Sequence, residues 1–396
     1  MRPLISVRPA TVDVDAQAIE DLRRRIRSAR TAHVPPAGRW TYGTGTEVVR
    51  ELLELWARFD VEALVRGLNA IPQVDISVDG LRVRAFHIRG ERDDAVPIVL
   101  THGWPSTVLE PLALADRLAR PSAHAADPGD CFHVVVPAMP GFPLSAAPAE
   151  LDDYTAARIA DFWTHVMAAL GYQSFVASAG DIGARVTTWL AARHPDRVRG
   201  IHVSSNALGT PPPGTELSPE EQAWLRGRAS WDREEGAYMH LQQTKPLSLA
   251  HGLADSPAGL AAWISEKWHG WSGQDAGTLD RFAPDHLLGH LSLYWLTNSI
   301  GTSLIHYYVY DRPPGARPPA GSIDVPVNFV LAPAENGGVP PRDLAERQFP
   351  VARWSELPRG GHFLASEQPE LLAQDVRDAF RPLRARRSSA AGGLPA

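Results

Sequence analysis

The sequence predicts an α/β fold: a mostly parallel sheet covered by helices, with an inserted α-helical lid and an N-terminal helical meander. Three observations carry this. Short apolar runs alternate with helical patterns between residues 74 and 206, as buried parallel strands alternate with crossover helices. The alternation stops at Asn206 and a Pro-, Trp- and helix-rich stretch follows. It then resumes with Val325-Pro326-Val327-Asn328-Phe329-Val330-Leu331.

Taken in order, residues 1–73 carry helical patterning, clearest in Val48-Val49-Arg50-Glu51-Leu52-Leu53-Glu54-Leu55-Trp56, and form a segment expected to wrap core and lid. Residues 74–206 are the first half of the core. Val74 to Val78 and Leu81 to Ile88 alternate with period two across Asp79-Gly80, a hairpin signal because Asp-Gly accepts positive φ. Pro97 to Thr101, Val134 to Val136, Ser174 to Ser178 and Val198 to Val203 are strand candidates. Asp153 to Gly171 and Gly183 to Arg193 are helix candidates, the former ending at a glycine. Residues 207–322 are the lid and 323–386 the second half of the core. This half has a short strand near Arg353-Trp354 and a last helix from Glu367 to about Phe380. Residues 387–396 read as a flexible tail.

Composition narrows the function. The 396 residues are 44% hydrophobic and carry 39 basic against 45 acidic side chains, a net charge of −6. The only basic cluster, Arg381 to Arg387, leads into a Ser/Ala/Gly-rich end, so nucleic-acid binding is not expected. Only Lys245 and Lys267 among the basic residues are lysines, as GC-rich bacterial codon usage would give. The lone Cys131 excludes an intrachain disulfide framework and reads as a small buried hydrophobe. No signal-peptide block and no membrane-spanning run is evident, so a cytoplasmic protein without a membrane anchor is expected.

The chemistry concentrates in three places. Ala179-Gly180-Asp181-Ile182-Gly183 lies between a strand and a helix, the small-x-nucleophile-x-small elbow of an α/β-hydrolase fold, with aspartate in the nucleophile slot. Taken alone, Asp181 could equally cap the following helix. His102-Gly103-Trp104-Pro105 follows the strand ending at Thr101, where that fold places an oxyanion-hole loop. Gly360-Gly361-His362-Phe363 follows the last strand, where it places a catalytic base. The three together, in this order, are an enzyme's signature.

The chain resembles the microsomal-type epoxide hydrolases over nearly its whole length. The resemblance runs from Trp40-Thr41-Tyr42-Gly43-Thr44 through Leu68-Asn69-Ala70-Ile71-Pro72-Gln73 and the lid runs Tyr238 to Pro246 and Asp255 to Trp263, and ends at Gly361-His362-Phe363. It implies a nucleophilic Asp181 that forms an alkyl ester, and a base, His362, that activates water to release a vicinal diol. It implies an acid partner for His362 at Glu335, after the strand that ends at Leu331; Asp324 stands before that strand, and Asp343 and Glu346 look like solvated helix positions. The oxyanion donors would be the backbone N–H groups of Trp104 and Ile182. Tyr238 and Tyr307 match the two lid tyrosines that protonate the leaving oxygen, with Tyr308 a close rival one residue on.

Two departures stand out. Ile182 replaces the aromatic residue usual after the nucleophile, and Ser106-Thr107 follow the His-Gly-Trp-Pro motif. A smaller residue 182 leaves room for a bulky epoxide, as on a natural-product biosynthetic intermediate. Trp104, Ile182, Tyr308 and Trp295 are the expected substrate contacts. The expected partners are therefore a small-molecule epoxide and water; a homodimer is allowed for. The alternatives are an enzyme that opens an epoxide with another nucleophile, and a haloalkane dehalogenase, for which Ile182 lacks a halide-binding indole. His286 and His290 have the spacing of two ligands on one helix face, but Leu287 stands where a zinc hydrolase places its glutamate. They read as lid packing. No metal and no cofactor is expected.

Overall fold

The computed structural model describes residues 3–33, 38–212, 214–273 and 284–391. Its sheet has nine strands among the described residues: β1 (Ile5–Pro9), β2 (Gln73–Val78), β3 (Leu81–Ile88), β4 (Val96–Thr101), β5 (Phe132–Pro137), β6 (Phe175–Ala179), β7 (Val198–Val203), β8 (Val327–Leu331) and β9 (Val351–Glu356). Their spatial order is β1-β2-β3-β5-β4-β6-β7-β8-β9. The β1-β2-β3-β5 ladders are antiparallel and the rest parallel. The β2–β3 turn is the expected one, with φ of 49° at Asp79 and 91° at Gly80, both positive as a type I′ turn needs.

Strand β1 corrects the helical reading of the first residues. Ile5 pairs with Val78 and Pro9 with Val74, yet every residue of β1 is exposed. An edge strand with no buried face leaves no apolar alternation to read; its pairing rests on ladder hydrogen bonds. The N-terminal helices α1 (Ala16–Arg27), α2 (Thr46–Arg58) and α3 (Val61–Asn69) follow the apolar period, burying Val48, Val49, Leu52, Leu53 and Trp56 of α2.

Within the core, α4 (Leu109–Ala119), α5 (Ala156–Ala169) and α6 (Asp181–Arg193) alternate with the strands. Helix α5 starts at Ala156 rather than Asp153, because Thr155 caps it by accepting from the Arg158 amide. The period-two alternation of β4 to β7 splits the core between the two faces of the sheet. Val99, Val135, Ala177 and Ile201 pack with α2, α5 and α6, whereas Ile98, Leu100, Val134 and Val176 pack with α4 and the last helix. Cys131 is buried at the start of β5.

The lid comprises α7 (Pro219–Glu235), α8 (Ala237–Thr244), α9 (Pro246–Asp255), α10 (Pro257–Trp271), α11 (Pro284–Leu296) and α12 (Ile300–Tyr308). The N-terminal segment straps it. Trp56 Nε1 donates to Ser292 Oγ at 2.8 Å, Thr44 Oγ1 to the Ala262 carbonyl at 2.8 Å, and Trp40 stacks on His269 at 3.9 Å. After α13 (Arg342–Glu346) and α14 (Leu364–Glu367), the last helix, α15 (Pro369–Ala391), runs past Phe380 and through Pro382. It therefore takes in part of the expected tail; residues 392–396 lie outside the described residues.

Candidate active site

The segments following β4, β6, β8 and β9 meet at the carboxyl ends of these parallel strands, where open α/β sheets bind their ligands. Asp181 follows β6 after Gly180 alone and is the first residue of α6, with φ of 49°. That left-handed backbone costs about 1–3 kcal/mol. It is held because α6 is pressed against the neighbouring loop: a Cβ on Gly183 would sit 2.4 Å from the Thr101 carbonyl oxygen. On the opposite side, a Cβ on Gly103 would sit 2.4 Å from the Asp181 side chain.

The His102–Trp104 loop thus closes on the carboxylate. The Trp104 amide donates to Asp181 Oδ1 at 2.8 Å. Ile182 is buried in the first turn of α6, where backbone N–H groups lack intrahelical acceptors. His102 anchors the loop: its Nε2 accepts from the Met139 amide at 3.0 Å, and burial pushes its pKa down to about 4, so it is neutral.

His362 brings two carboxylates together. Its Nδ1 lies 2.8 Å from Glu335 Oε1, and its Nε2 lies 3.5 Å from Asp181 Oδ2. Glu335 Oε1 also accepts from the Asn336 amide at 2.9 Å. Burial would raise the Glu335 carboxyl, but the charge and hydrogen bond of His362 hold it below its ordinary value. Burial likewise opposes charge on the imidazole. Glu335, Asp181 and Glu110 override it, and the pKa rises to about 9. The rival acids are elsewhere: Asp324 is exposed before β8, and Glu346 pairs with Arg342 on α13.

Facing the carboxylate from the lid are Tyr238 of α8 and Tyr307 of α12, their rings 5.8 Å apart. Each packs on Trp104, at 5.7 and 5.6 Å, and the two rings meet edge-on. Burial raises both pKa values, so both hydroxyls hold their protons at neutral pH. The register settles which of the adjacent tyrosines faces inward. Tyr307 is 2% exposed, while the half-buried Tyr308 carries the Arg312 guanidinium 4.6 Å over its ring.

Trp295 also departs from expectation. It meets Trp56 edge-on at 6.3 Å and lies under Arg25 at 5.9 Å, both on the N-terminal segment. The lid tryptophan beside His362 is Trp271, 5.1 Å from its ring and 5.0 Å from Tyr238. The indole N–H groups of Trp104 and Trp271 are buried without a protein partner. His286 Nε2 lies 3.3 Å from His290 Nε2 and 2.8 Å from Ser366 Oγ, His290 Nδ1 lies 3.0 Å from Thr107 Oγ1, and Trp268 packs on both rings. Glu110 is a site residue that sequence reasoning missed. In the chain it looks like an ordinary acid in a helix's first turn, and only the fold turns it toward His362.

Comparison with known proteins agrees with the geometry. The family described as epoxide hydrolase N terminus matches residues 7–111, and the alpha/beta hydrolase fold matches residues 96–236. A candidate epoxide hydrolase of Stigmatella aurantiaca is 37% identical over 96% of this chain and 86% of its own length. Epoxide hydrolase 1 of Sus scrofa is 30% identical over 94% and 88%. Among solved structures, juvenile hormone epoxide hydrolase of the silkworm Bombyx mori superposes with a TM-score of 0.84 at 27% identity, covering 97% of this chain and 96% of that one. The Aspergillus niger epoxide hydrolase superposes with 0.80 at 26% identity, covering 95% and 96%.

Proposed function

We propose a mechanism on one premise: the chain belongs to the microsomal-type epoxide hydrolase family and is an enzyme of it. Asp181 Oδ2 attacks an epoxide carbon and forms an alkyl ester, while Tyr238 and Tyr307 hydrogen-bond and protonate the opening oxygen. An alkoxide is a poor leaving group, so two protonated, buried phenols answer a real need. His362 then takes a proton from water, the oxygen adds to the ester carbonyl, and the Trp104 and Ile182 amides hold the oxyanion. Collapse releases the vicinal diol.

The observation that carries this reading is the position of His362, held by Glu335 on one nitrogen and facing Asp181 with the other. Alkylation also supplies the base. In the free enzyme Asp181 is one of the charges that keep His362 protonated. Ester formation removes that charge and so lowers the imidazole's pKa, toward the neutral base that ester hydrolysis requires. A bulky biosynthetic epoxide remains the proposed substrate class, supported by isoleucine at 182. No described helix is long and apolar enough to cross a membrane, in keeping with a proposed cytoplasmic setting.

Turnover in ¹⁸O-water tests the mechanism. Through an ester, the first turnover leaves the label in Asp181 and yields unlabelled diol; later turnovers label the diol. Label in the first diol would mean that water attacks the epoxide directly. A product with no label after many turnovers would favour another nucleophile.

A further inference from the structure

Glu110 lies in the first turn of α4, shortly after the His102–Trp104 loop, and the mechanism above leaves it without a part. It lines a cavity of about 70 Å³ together with Asp181, His362 and Ser106, and neither Tyr238 nor Tyr307 is in that lining. A water centre needs roughly 10–15 Å³, so the cavity has room for several. Its walls are largely apolar, from Pro111, Leu114, Val330, Leu364 and Leu372, which leaves the polar groups to orient any water inside.

A hydrolytic water beside Asp181 has two hydrogens to place. One goes to His362 Nε2 as the oxygen approaches the ester carbonyl; the other needs an acceptor. Glu110 is the carboxyl in the lining besides Asp181. Other polar groups there are already engaged. Ser178 bonds His202, His202 bonds Asp375, and His102 takes the Met139 amide.

We propose that Glu110 is a positioning residue of the hydrolytic half-reaction, accepting the second hydrogen of the water that His362 deprotonates, in a cavity apart from the tyrosines that protonate the epoxide oxygen. This rests on the Asp181–His362 reading above. In the step, the water oxygen bonds the ester carbon and its proton passes to His362. Collapse breaks the ester C–O bond, and His362 returns the proton to the departing diol oxygen. The new Asp181 carboxyl then ionises to His362. Glu110 holds the water throughout and keeps no proton.

The surroundings of Glu110 make this function pH-dependent. Burial pushes its carboxyl up to about 7; a Ser106 hydrogen bond and the charge of His362 oppose the rise, and Asp181 and Glu367 add to it. His102 and His202 face the same cavity, and His290 bonds Thr107 alongside. The ionised carboxylate is the stronger acceptor, so ester hydrolysis speeds up as pH rises through about 7.

The test is single-turnover quench-flow with styrene oxide on wild type, Glu110→Gln and Glu110→Asp across the neutral range, following ester by intact mass and diol by chromatography. Glu110→Gln is expected to form ester at close to the wild-type rate, but to hydrolyse it roughly tenfold or more slowly above neutral pH. It should also lose the rise near pH 7, and Glu110→Asp should restore part of both. Wild-type hydrolysis and pH profile in Glu110→Gln would overturn the proposal while leaving the Asp181 ester standing. Loss of ester formation in both variants would make Glu110 a structural residue and overturn it too. No ester in wild type would remove the mechanism beneath it.

Discussion

The Trp104 amide donates to Asp181 Oδ1 at 2.8 Å in the resting site. The carboxylate is therefore asymmetric before substrate arrives. In the proposed mechanism Oδ1 already sits on the oxyanion donor, and Oδ2 is the oxygen left to bond carbon. Between the proposed ester formation and hydrolysis this donor need not move, which is the advantage of a preorganised site.

Replacing His362 by Gln separates the half-reactions. Alkylation needs no base, so an ester is expected to accumulate and appear as the mass of one epoxide on the peptide containing Asp181. Glu335→Gln should act more mildly. It keeps a hydrogen bond to Nδ1 but removes the charge that raises the imidazole, so the pKa should fall from about 9, readable by NMR of the ring. A His362 variant with neither turnover nor added mass would contradict the two-step scheme.

Tyr238→Phe and Tyr307→Phe should each slow ester formation and spare ester hydrolysis. A positioned acid contributes on the order of a hundredfold or more. The two rings meet edge-on at 5.8 Å, so each hydroxyl can partly cover for the other, and the double variant should lose far more than either single one. Pre-steady-state alkylation rates on an unactivated epoxide decide this; equal rates in wild type and double variant would rule the tyrosines out.

Ile182→Trp should impair bulky aryl or polycyclic epoxides and spare styrene oxide. The backbone N–H of residue 182 is retained, so the oxyanion donor survives, while the indole takes up space in a buried position. The comparison is kcat/KM for one small and one bulky epoxide. Parallel loss, or no change in either, would show that residue 182 does not set the size limit.

Asp375 of α15 ties the last helix to the sheet. It accepts from Arg353 at 2.6 Å and from Ser355 at 2.5 Å, and pairs with the buried His202 at 2.9 Å. Burial alone would raise its carboxyl, but these partners hold it well below the ordinary range. A carboxyl depressed in the fold stabilises above its unfolded pKa of about 4 and loses that contribution as pH falls through the folded value. Asp375→Ala should cost about 3–5 kcal/mol by denaturant unfolding, because His202 and Arg353 lose their acceptor. Asp375→Asn should flatten the acid limb of the stability curve; an unchanged limb would assign acid sensitivity to other groups.

Most of the core was readable because its signals are local. A buried parallel strand is a short apolar run, an Asp-Gly pair with two positive φ angles is a hairpin turn, and a nucleophile elbow is five consecutive residues. Strand β1 was not readable, since an exposed edge strand has no face to mark it. Trp295 misled because a lid tryptophan can pack toward the site or toward the N-terminal strap, and its own neighbours in the chain are the same either way.

By itself, then, the sequence determined the α/β alternation, the helical stretch between β7 and β8, and the residue types at 181, 335 and 362, because backbone preference and side-chain chemistry travel with the chain. Only the tertiary structure decided which tyrosine of the pair at 307 and 308 faces inward, which lid tryptophan stands beside His362, and that Glu110 shares a cavity with Asp181 and His362. Those depend on helix rotation and on contacts between segments far apart in the chain. A one-residue step turns a helical side chain by about 100°, enough to exchange the buried ring of Tyr307 for the half-buried one of Tyr308.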